Sequence, residues 1–269
     1  MPYTLSHLAA VLPFSRLLAR LRILSAMAIG SMVPDFGYLL PIHPLRVETH
    51  SAVSLFTFSL PLGLLTYWIF QRWMKTPLFA VLPDSVYLRW RPFLAPAALN
   101  NPRQWLVAAG GVLVGAVTHL VWDGFTHEGA RGIRMMPELD DWKFELHGHH
   151  LIGARLLQDG SSLLGLAIVL ILLIYALRRG ETPGVGLRAL GVAQRRHWLL
   201  AYAIATLVFS AGFDVLDQLA GAYWEVTGAH ANAAAIAFLR GLALASVSVS
   251  LCLGGYLRAG CAKARTSEV

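Results

Sequence analysis

The chain has 269 residues, of which 56% are hydrophobic and only 14% charged, and its mean hydropathy is +0.57. Soluble domains carry about a quarter charged residues, so this composition excludes an ordinary soluble protein and indicates an integral membrane protein. The net charge of +7 raises the question of a nucleic-acid partner. The basic residues flank apolar segments, however, and no basic and aromatic nucleic-acid-binding module is present, so we expect no such partner.

Six apolar segments predict an all-α, polytopic fold with about six membrane spans. A helix that crosses a bilayer needs roughly 20 apolar residues, and most of the five clearer segments come near this length. In chain order the segments are residues 23–40, which is the weakest, then 51–73, 105–126, 163–177, 198–216 and 233–257. No internal repeat is apparent. We expect one integral-membrane helical domain over residues 1–269, with the half that carries the candidate metal site in about 1–150 and generic spans in 151–269.

The distribution of Arg and Lys predicts the orientation of these spans. Basic residues cluster before the first segment, after the second, after the fourth and after the last. The positive-inside rule then places both termini and these loops in the cytoplasm, and loops 41–50, 127–162 and 220–232 outside. Residues 1–13 lack the basic start and the small-residue cleavage site of a secretory signal, so we expect them to remain in the mature protein.

Three ionisable residues recur every four positions along and just after the predicted helix 111–126: His119, Asp123 and His127. Four residues make just over one helical turn, so the three side chains share one face. An ionisable group among apolar residues needs a partner, a water-filled cavity or a bound ion. His119 and Asp123 offer an imidazole nitrogen and a carboxylate oxygen, which suit zinc, manganese or iron. The alternative is a hydrogen-bonded pair that stabilises helix packing, and we favour the metal.

Two more polar positions lie in the earlier apolar segments. Asp35 follows Pro34, which interrupts the helical hydrogen bonds, so its carboxylate is either a metal ligand or a hydrated group at the interface. His50 opens the second segment on the same predicted side of the membrane and is a further candidate ligand.

The outward loop 127–162 carries many of the remaining acidic and imidazole groups. Glu128, Glu145 and His147 are candidates there for a general base or for a partner of a metal ligand, and the sequence does not choose among them.

In the last two segments, Arg240 lies roughly level with Asp214 and Asp217. An ion pair between two helices is the expected role of these residues, because a lone charge in a membrane is costly.

The order of four stretches resembles a bacterial family of membrane-bound metal-dependent hydrolases, distant relatives of zinc-dependent phospholipase C and the S1/P1-type nucleases. The stretches are T-L-S-H-L-A-A (4–10), I-G-S-M-V-P-D-F (29–36), H-S (50–51) and G-A-V-T-H-L-V-W-D-G-F-T-H-E-G (115–129). They cover roughly the first half of the chain. The resemblance implies an all-helical protein of the bacterial inner membrane, a divalent metal cofactor, and a phosphoester substrate that is a lipid or is lipid-linked. Zinc is the expected ion, with manganese or iron as alternatives.

The resemblance also implies a set of metal ligands. They are His7, Asp35, His50, His119 and Asp123, with His127 as an addition in this chain. The chain has V-E-T-H-S where relatives have H-R-G-x-T-H-S, so we expect one of the family's ligands to be missing. The positive-inside rule puts His7 on the cytoplasmic side, away from the others. Either the N-terminal stretch dips into the bundle, or His7 has another role, or the first segment is re-entrant.

These observations favour a metal-dependent hydrolase. The rival hypothesis is a non-enzymatic membrane transporter or assembly factor whose intramembrane His and Asp bind an ion or relay protons. A transporter is expected to show repeat symmetry between its halves, whereas the polar residues here are concentrated in the first half, which favours the enzyme.

Overall fold

The chain is predominantly helical in the computed structural model. The structure describes residues 4–20, 23–39, 46–83, 86–87, 96–127, 130–136, 138, 142–146, 149–178, 190–219 and 229–266. The α-helices in chain order are α1 Ser15–Arg20, α2 Leu24–Gly30, α3 Arg46–Thr49, α4 Leu60–Ile69, α5 Lys75–Ala80, α6 Pro102–Thr126, α7 Arg131–Arg134, α8 Gly153–Arg178, α9 Val192–Leu219 and α10 Ala229–Thr266. Tighter 3₁₀ segments occur at Thr4–Ala10, Leu12–Phe14 and Val33–Leu39, and wider π-helical segments at Leu55–Ser59 and Phe70–Met74.

Among the described residues, four helices are long and apolar enough to cross a membrane. They are Pro102–Thr126, Gly153–Tyr175, Val192–Gln218 and Ala234–Ala259, and they overlap four of the predicted segments. Large apolar side chains project from them, with Leu207 65% and Ile171 64% exposed. Exposed apolar faces of this extent are consistent with a membrane protein, in which lipid would cover them. The count of about six spans stays a prediction.

The two remaining apolar segments are interrupted. The described part of the first segment, residues 23–39, contains α2 and then the 3₁₀ segment Val33–Leu39, each far shorter than the roughly 20 residues of a span. Pro34 lies in the second piece, and it has no N–H with which to continue an α-helical ladder. Residues 51–73 are helical around α4 but include the two π-helical segments, so the helix is irregular at both ends.

The chain divides into two compact units. The cluster unit consists of Tyr3–Tyr67 and Leu99–Ile174, and the pair unit of Met1–Pro2, Trp68–Ala98 and Tyr175–Val269. The single domain over residues 1–269 stays a prediction. All of the candidate metal ligands belong to the cluster unit.

Within the cluster unit, α2 and α6 pack at very short range. A Cβ atom on Gly115 would collide with the carbonyl oxygen of Met27 and would lie 2.7 Å from the backbone nitrogen of Ser31. A Cβ atom on Gly30 would collide with the carbonyl oxygen of Val112. Glycine at these positions therefore allows the two backbones to touch, as small residues do between membrane helices.

A short hairpin follows α7 in the region that the sequence predicts as a loop. Strand β1 (Lys143–Leu146) pairs antiparallel with β2 (His149–Ile152), with Glu145 opposite His150. The stretch K-F-E-L alternates polar and apolar residues, which is the period of a strand. The expectation of an all-α chain therefore holds except for this hairpin.

In the pair unit, α9 and α10 pack against each other, and Arg240 forms the predicted interhelical ion pair. Its Nη1 donates to both carboxylate oxygens of Asp217 at 2.9 Å. Asp214 accepts a hydrogen bond from Gln218 of its own helix at 2.8 Å. The prediction of a structural role is therefore confirmed for the contact between Arg240 and Asp217.

Candidate metal centre

Helix α6 carries the stripe of ionisable residues on its buried face. The helix begins after Asn101, whose side chain accepts a hydrogen bond from the backbone N–H of Gln104. Its buried positions recur with the helical period: Ala108, Gly111, Val112, Gly115, Ala116, His119, Asp123 and Thr126. His127 is the C-terminal cap and has an extended backbone, while its N–H still donates to the carbonyl of Asp123. The predicted common face of His119, Asp123 and His127 is therefore present.

Four side chains place one potential ligand atom each at a common point. They are Asp35, His50, His119 and Asp123, and all four atoms lie within 4.8 Å of one another. His50 Nε2 is 3.3 Å from Asp35 Oδ1, 3.3 Å from His119 Nε2 and 3.5 Å from Asp123 Oδ2. His119 Nε2 is 3.6 Å from Asp35 Oδ1 and 3.5 Å from Asp123 Oδ2. This buried group could hold a metal ion.

Five of the six separations among these atoms suit the ligand shell of a small divalent cation. A tetrahedral ion with bonds of about 2.0 to 2.2 Å separates its ligand atoms by about 3.3 to 3.6 Å. The five distances above all lie between 3.3 and 3.6 Å. Ordinary N–H···O hydrogen bonds are shorter, at about 2.9 Å. Five of the six separations therefore suit the ligands of one ion, although His119 Nε2 and His50 Nε2, at 3.3 Å, are also within hydrogen-bond distance.

The charge of the group also favours a cation. Asp35 and Asp123 are only 2% and 3% exposed. Two buried carboxylates among neutral imidazoles leave two negative charges without solvent, which is costly unless a positive charge compensates them. One divalent ion would supply that charge, and protonation of the imidazoles is the alternative.

His119 is held in the tautomer that a metal ligand needs. Its Nδ1 lies 2.8 Å from the carbonyl oxygen of Ser31. A carbonyl can only accept, so Nδ1 carries the hydrogen and, in the neutral ring, Nε2 presents its lone pair to the cluster. Ser31 follows α2 directly, so the glycine contact between α2 and α6 brings its carbonyl to His119.

Asp35 and His50 are oriented by threonines. The Thr4 hydroxyl donates to Asp35 Oδ2 at 2.8 Å, and Asp35 Oδ1 is buried without a well-aligned hydrogen bond among the described residues. The Thr49 hydroxyl lies 2.7 Å from His50 Nδ1, which turns Nε2 of that ring toward the cluster. Such outer partners are typical of metal sites, because they fix the direction of each ligand.

His7 also reaches the cluster. Its Nε2 is 3.5 Å from Asp123 Oδ1, and its ring stacks on His119 with centroids 3.8 Å apart. Burial lowers the pKa of His7 and the adjacent His119 ring lowers it further, to about 4 from 6.5, so the imidazole is neutral at pH 7. This placement fits an N-terminal stretch that packs into the helical bundle, rather than a His7 that lies away from the other ligands, since Thr4–Ala10 contacts α6.

His127 lies at the edge of the same cluster. Its Nδ1 is 3.5 Å from Asp123 Oδ1 and 3.3 Å from the Thr126 hydroxyl. All six predicted metal ligands are therefore close together in space. The candidate bases Glu128 and His147 lie outside the described residues, and of Glu145 only the backbone, in β1, is described.

Sequence reasoning missed the groups that orient the ligands: Thr4, Ser31, Thr49 and Trp122. Thr4 lies in the T-L-S-H stretch and Thr49 next to His50, but neither position by itself indicates a partner. Trp122 packs edge-on against His7 at 5.5 Å and donates to Ser161 of α8 at 3.2 Å. Ser31 acts through its backbone, which no side-chain pattern reveals.

The fold and the cluster define a helical membrane-type protein with a buried His and Asp group suited to a divalent metal. Residues 1–255 match the family DUF4184, a domain of unknown function, and the chain belongs to that family. No curated protein and no solved structure matches the chain.

Proposed function

We propose that this protein is a metal-dependent hydrolase of the bacterial inner membrane that cleaves a phosphoester of a lipid or lipid-linked compound. The observation that carries the proposal is the buried set of two His and two Asp side chains whose potential ligand atoms lie within 4.8 Å of one another. Structural zinc sites are built mainly from cysteine, whereas hydrolytic zinc sites use histidine and carboxylates. The His and Asp composition of this cluster therefore favours a catalytic metal site over a structural one.

Asp35, His50, His119 and Asp123 would hold the ion. When bound, zinc or another divalent cation acts as a Lewis acid and lowers the pKa of a water molecule. Hydrolysis adds the oxygen of water to phosphorus and breaks the ester P–O bond, with a proton passing to the leaving alkoxide. The protein orients the ligands through Ser31, Thr4 and Thr49 and keeps the cluster largely dry. Glu128 and His147 stay candidates for the proton transfer.

The position of the cluster along α6 favours a lipid substrate. Asp123 lies three residues before Thr126, the last residue of a helix long enough to span a bilayer. The end of a span lies near the interface, where lipid phosphates are found. With the orientation from the positive-inside rule, both termini are cytoplasmic and the cluster faces outward. A lipid phosphate could then approach laterally without leaving the membrane.

One observation favours the rival, an ion carrier or assembly factor without turnover. The side chains of Asp35, His50, His119 and Asp123 are at most 6% exposed. A closed set of four ligands is also what an ion-binding protein without catalysis would have. The two functions predict the same metal but different products, so an activity measurement separates them.

Metal analysis of the purified protein tests the site. We expect at least one equivalent of zinc or manganese per chain in the wild type, and its loss in Asp123→Ala and His119→Ala. Asp214→Asn and His197→Ala are matched controls, since both residues lie on α9, outside the cluster unit, and should keep the metal. Full metal content in the two site variants would overturn the site.

Activity in detergent tests the hydrolase. A total lipid extract in mixed micelles should release a water-soluble phosphorylated head group in the presence of wild type, and not in the presence of the metal-free variants. Because micelles have no compartments, product formation excludes pure transport. Retained metal without release of any head group would overturn the hydrolase and leave the ion-binding rival.

A further inference from the structure

The short helix α7 presents two arginines on its exposed side. Arg131 and Arg134 are both exposed, whereas Gly132 and Ile133 between them are buried. Among the described residues, neither guanidinium forms an ion pair, not even with Glu138, which is exposed four residues after Arg134. Two positive charges are therefore available at this surface to an anion from outside the protein.

Helix α7 is fixed against the part of α6 that carries the metal cluster. A Cβ atom on Gly132 would lie 2.6 Å from the carbonyl oxygen of Gly124 and 2.6 Å from the ring of Phe125. Gly124 follows the candidate ligand Asp123 directly in α6. The two arginines flank this close contact, so their backbone positions beside the cluster-bearing end of α6 are set by packing.

Apolar side chains are exposed in the same part of the chain. Met135, which follows α7 directly, is 79% exposed, and Trp142 is 57% exposed. Tryptophan is enriched at the boundary between lipid and water, and arginine reaches lipid phosphates from there. The exposed residues Arg131, Arg134 and Met135, here called the α7 surface, therefore combine the apolar and cationic character of a lipid contact.

Topology does not explain the two arginines. In the orientation that the positive-inside rule predicts, α7 belongs to the outward loop 127–162, where Arg and Lys are not needed to hold the protein in place. Their position next to the end of a span suits recognition of an anion at the membrane surface instead.

The metal centre by itself gives little attraction for an anionic substrate. Asp35 and Asp123 carry two negative charges, which one divalent ion between neutral imidazoles would only balance. A phosphoester keeps at least one negative charge at pH 7. Guanidinium groups bind phosphate through charge-assisted hydrogen bonds that are often bidentate. The two arginines thus supply the positive charge that the neutralised centre lacks.

We propose that Arg131 and Arg134 hold the phosphate of an anionic glycerophospholipid at the α7 surface, so that the protein selects a lipid such as phosphatidylglycerol over zwitterionic phosphatidylcholine; the cleavage of this lipid rests on the proposed function, whereas its binding does not. A zwitterionic head group carries its own cation, which the two arginines repel. Only the anionic head group gains from both positive charges.

Photo-crosslinking tests this selection at the α7 surface itself. The full-length, zinc-loaded protein in a neutral detergent is irradiated with phosphatidylglycerol that carries a photoreactive head group, and labelling of residues 130–136 is measured by mass spectrometry. At a low probe concentration, labelling should fall about fivefold in Arg131→Gln or Arg134→Gln and about 30-fold in the double variant, since one basic side chain near an anionic lipid surface contributes about the first factor. Unlabelled phosphatidylglycerol should compete far better than phosphatidylcholine.

Three controls separate charge, position and the source of the phosphate. Arg103→Gln should label as the wild type does, because Arg103 is also exposed but lies in the first turn of α6, at the other end of that helix from Asp123. Arg131→Lys combined with Arg134→Lys keeps both charges and should keep most of the labelling. Inorganic phosphate at the concentration of the competing lipid should not compete, because it has no acyl chains to place it at the surface.

Unchanged labelling in the double Gln variant, an equal loss in Arg103→Gln, or equal competition by the two lipids would overturn the α7 surface as an anionic-lipid site. Competition by inorganic phosphate as strong as that by phosphatidylglycerol would overturn the lipid as its ligand. Crosslinking needs no turnover, so a selective surface without lipid hydrolysis would sink the hydrolase alone. Hydrolysis that is equally fast on both lipids, and unaffected by the double Gln variant, would sink the surface and leave the hydrolase.

Discussion

Substitution of Gly115 by alanine should damage the metal centre although Gly115 is not a ligand. The added Cβ would collide with the carbonyl oxygen of Met27 and approach the backbone nitrogen of Ser31 to 2.7 Å. Both are backbone atoms and cannot rotate away as a flexible side chain can. Helix α2 must therefore move from α6, and the Ser31 carbonyl moves with it, away from His119 Nδ1.

The magnitude follows from two contributions. Overpacking at a tight contact costs about 1 to 3 kcal/mol, and loss of the hydrogen bond to His119 costs about 1 kcal/mol. Alanine is the better helix former by about 0.5 to 1 kcal/mol, which offsets part of this. The unfolding free energy of Gly115→Ala should thus fall by about 1 to 3 kcal/mol. Metal affinity should fall about 10- to 100-fold, as it does when an outer partner of a ligand is lost.

Gly110 and Gly124 provide the matched controls for this substitution. Both lie on α6, and a Cβ atom on either meets nothing within 4 Å. Gly110→Ala and Gly124→Ala should therefore be as stable as the wild type or slightly more so, with unchanged metal affinity. Thermal unfolding in detergent and competition with a zinc indicator measure the two quantities. If Gly115→Ala matched Gly110→Ala in both, the glycine contact would not be what positions His119.

Three further predictions concern buried polar groups. Thr4→Val removes the hydroxyl that donates to Asp35 Oδ2, so it should lower the unfolding free energy by about 1 to 3 kcal/mol and weaken metal binding. Thr4→Ser should restore both quantities, and wild-type metal affinity in Thr4→Val would contradict this prediction. Arg240→Met leaves Asp217 without its cation and should cost about 1 to 3 kcal/mol, less than for a fully buried pair because the Asp217 side chain is 22% exposed. Arg240→Met combined with Asp217→Leu should recover most of this cost in a thermal-unfolding double-mutant cycle, and an equally unstable double variant would argue against the pair. The pKa of His7 is about 4 in the folded state, below its ordinary 6.5, so the unfolded state binds the proton first as the pH falls. The contribution of His7 to the unfolding free energy is therefore complete above pH 6.5 and is lost as the pH falls to 4, by up to about 3 kcal/mol. Unfolding of the chelated protein from pH 4 to 8 should show this loss in the wild type but not in His7→Leu.

The long apolar helices could be predicted from sequence because their signal is local. Segments 105–126, 163–177, 198–216 and 233–257 all lie within helices that are long and apolar enough to span. The segment 23–40, the weakest of the six, contains a short helix and a 3₁₀ segment, and Pro34 and the close packing of Gly30 on α6 are found at this interruption. Mean hydropathy is an average over the whole segment, so it does not show where the helix is interrupted.

The cluster was predictable in its members but not in its arrangement. The spacing of His119, Asp123 and His127 places them on one face by helical geometry alone. The approach of His7, Asp35 and His50 depends on contacts between distant parts of the chain. Asp35 and His50 were candidate ligands by their positions in the apolar segments, whereas His7 was included only through the resemblance of short stretches. The hairpin at 143–152 was missed because the polar loop gave only a weak alternating pattern.

The sequence by itself determined that this is an apolar, helical protein with ionisable groups repeated along one face of a helix, because composition and helical periodicity are local properties of the chain. Only the tertiary structure decided which oxygen of Asp123 faces which imidazoles, and that the Ser31 carbonyl sets the tautomer of His119. Those relations depend on the distance at which α2 and the N-terminal 3₁₀ segment pack against α6, and that distance is set by side chains and glycines far apart in the chain.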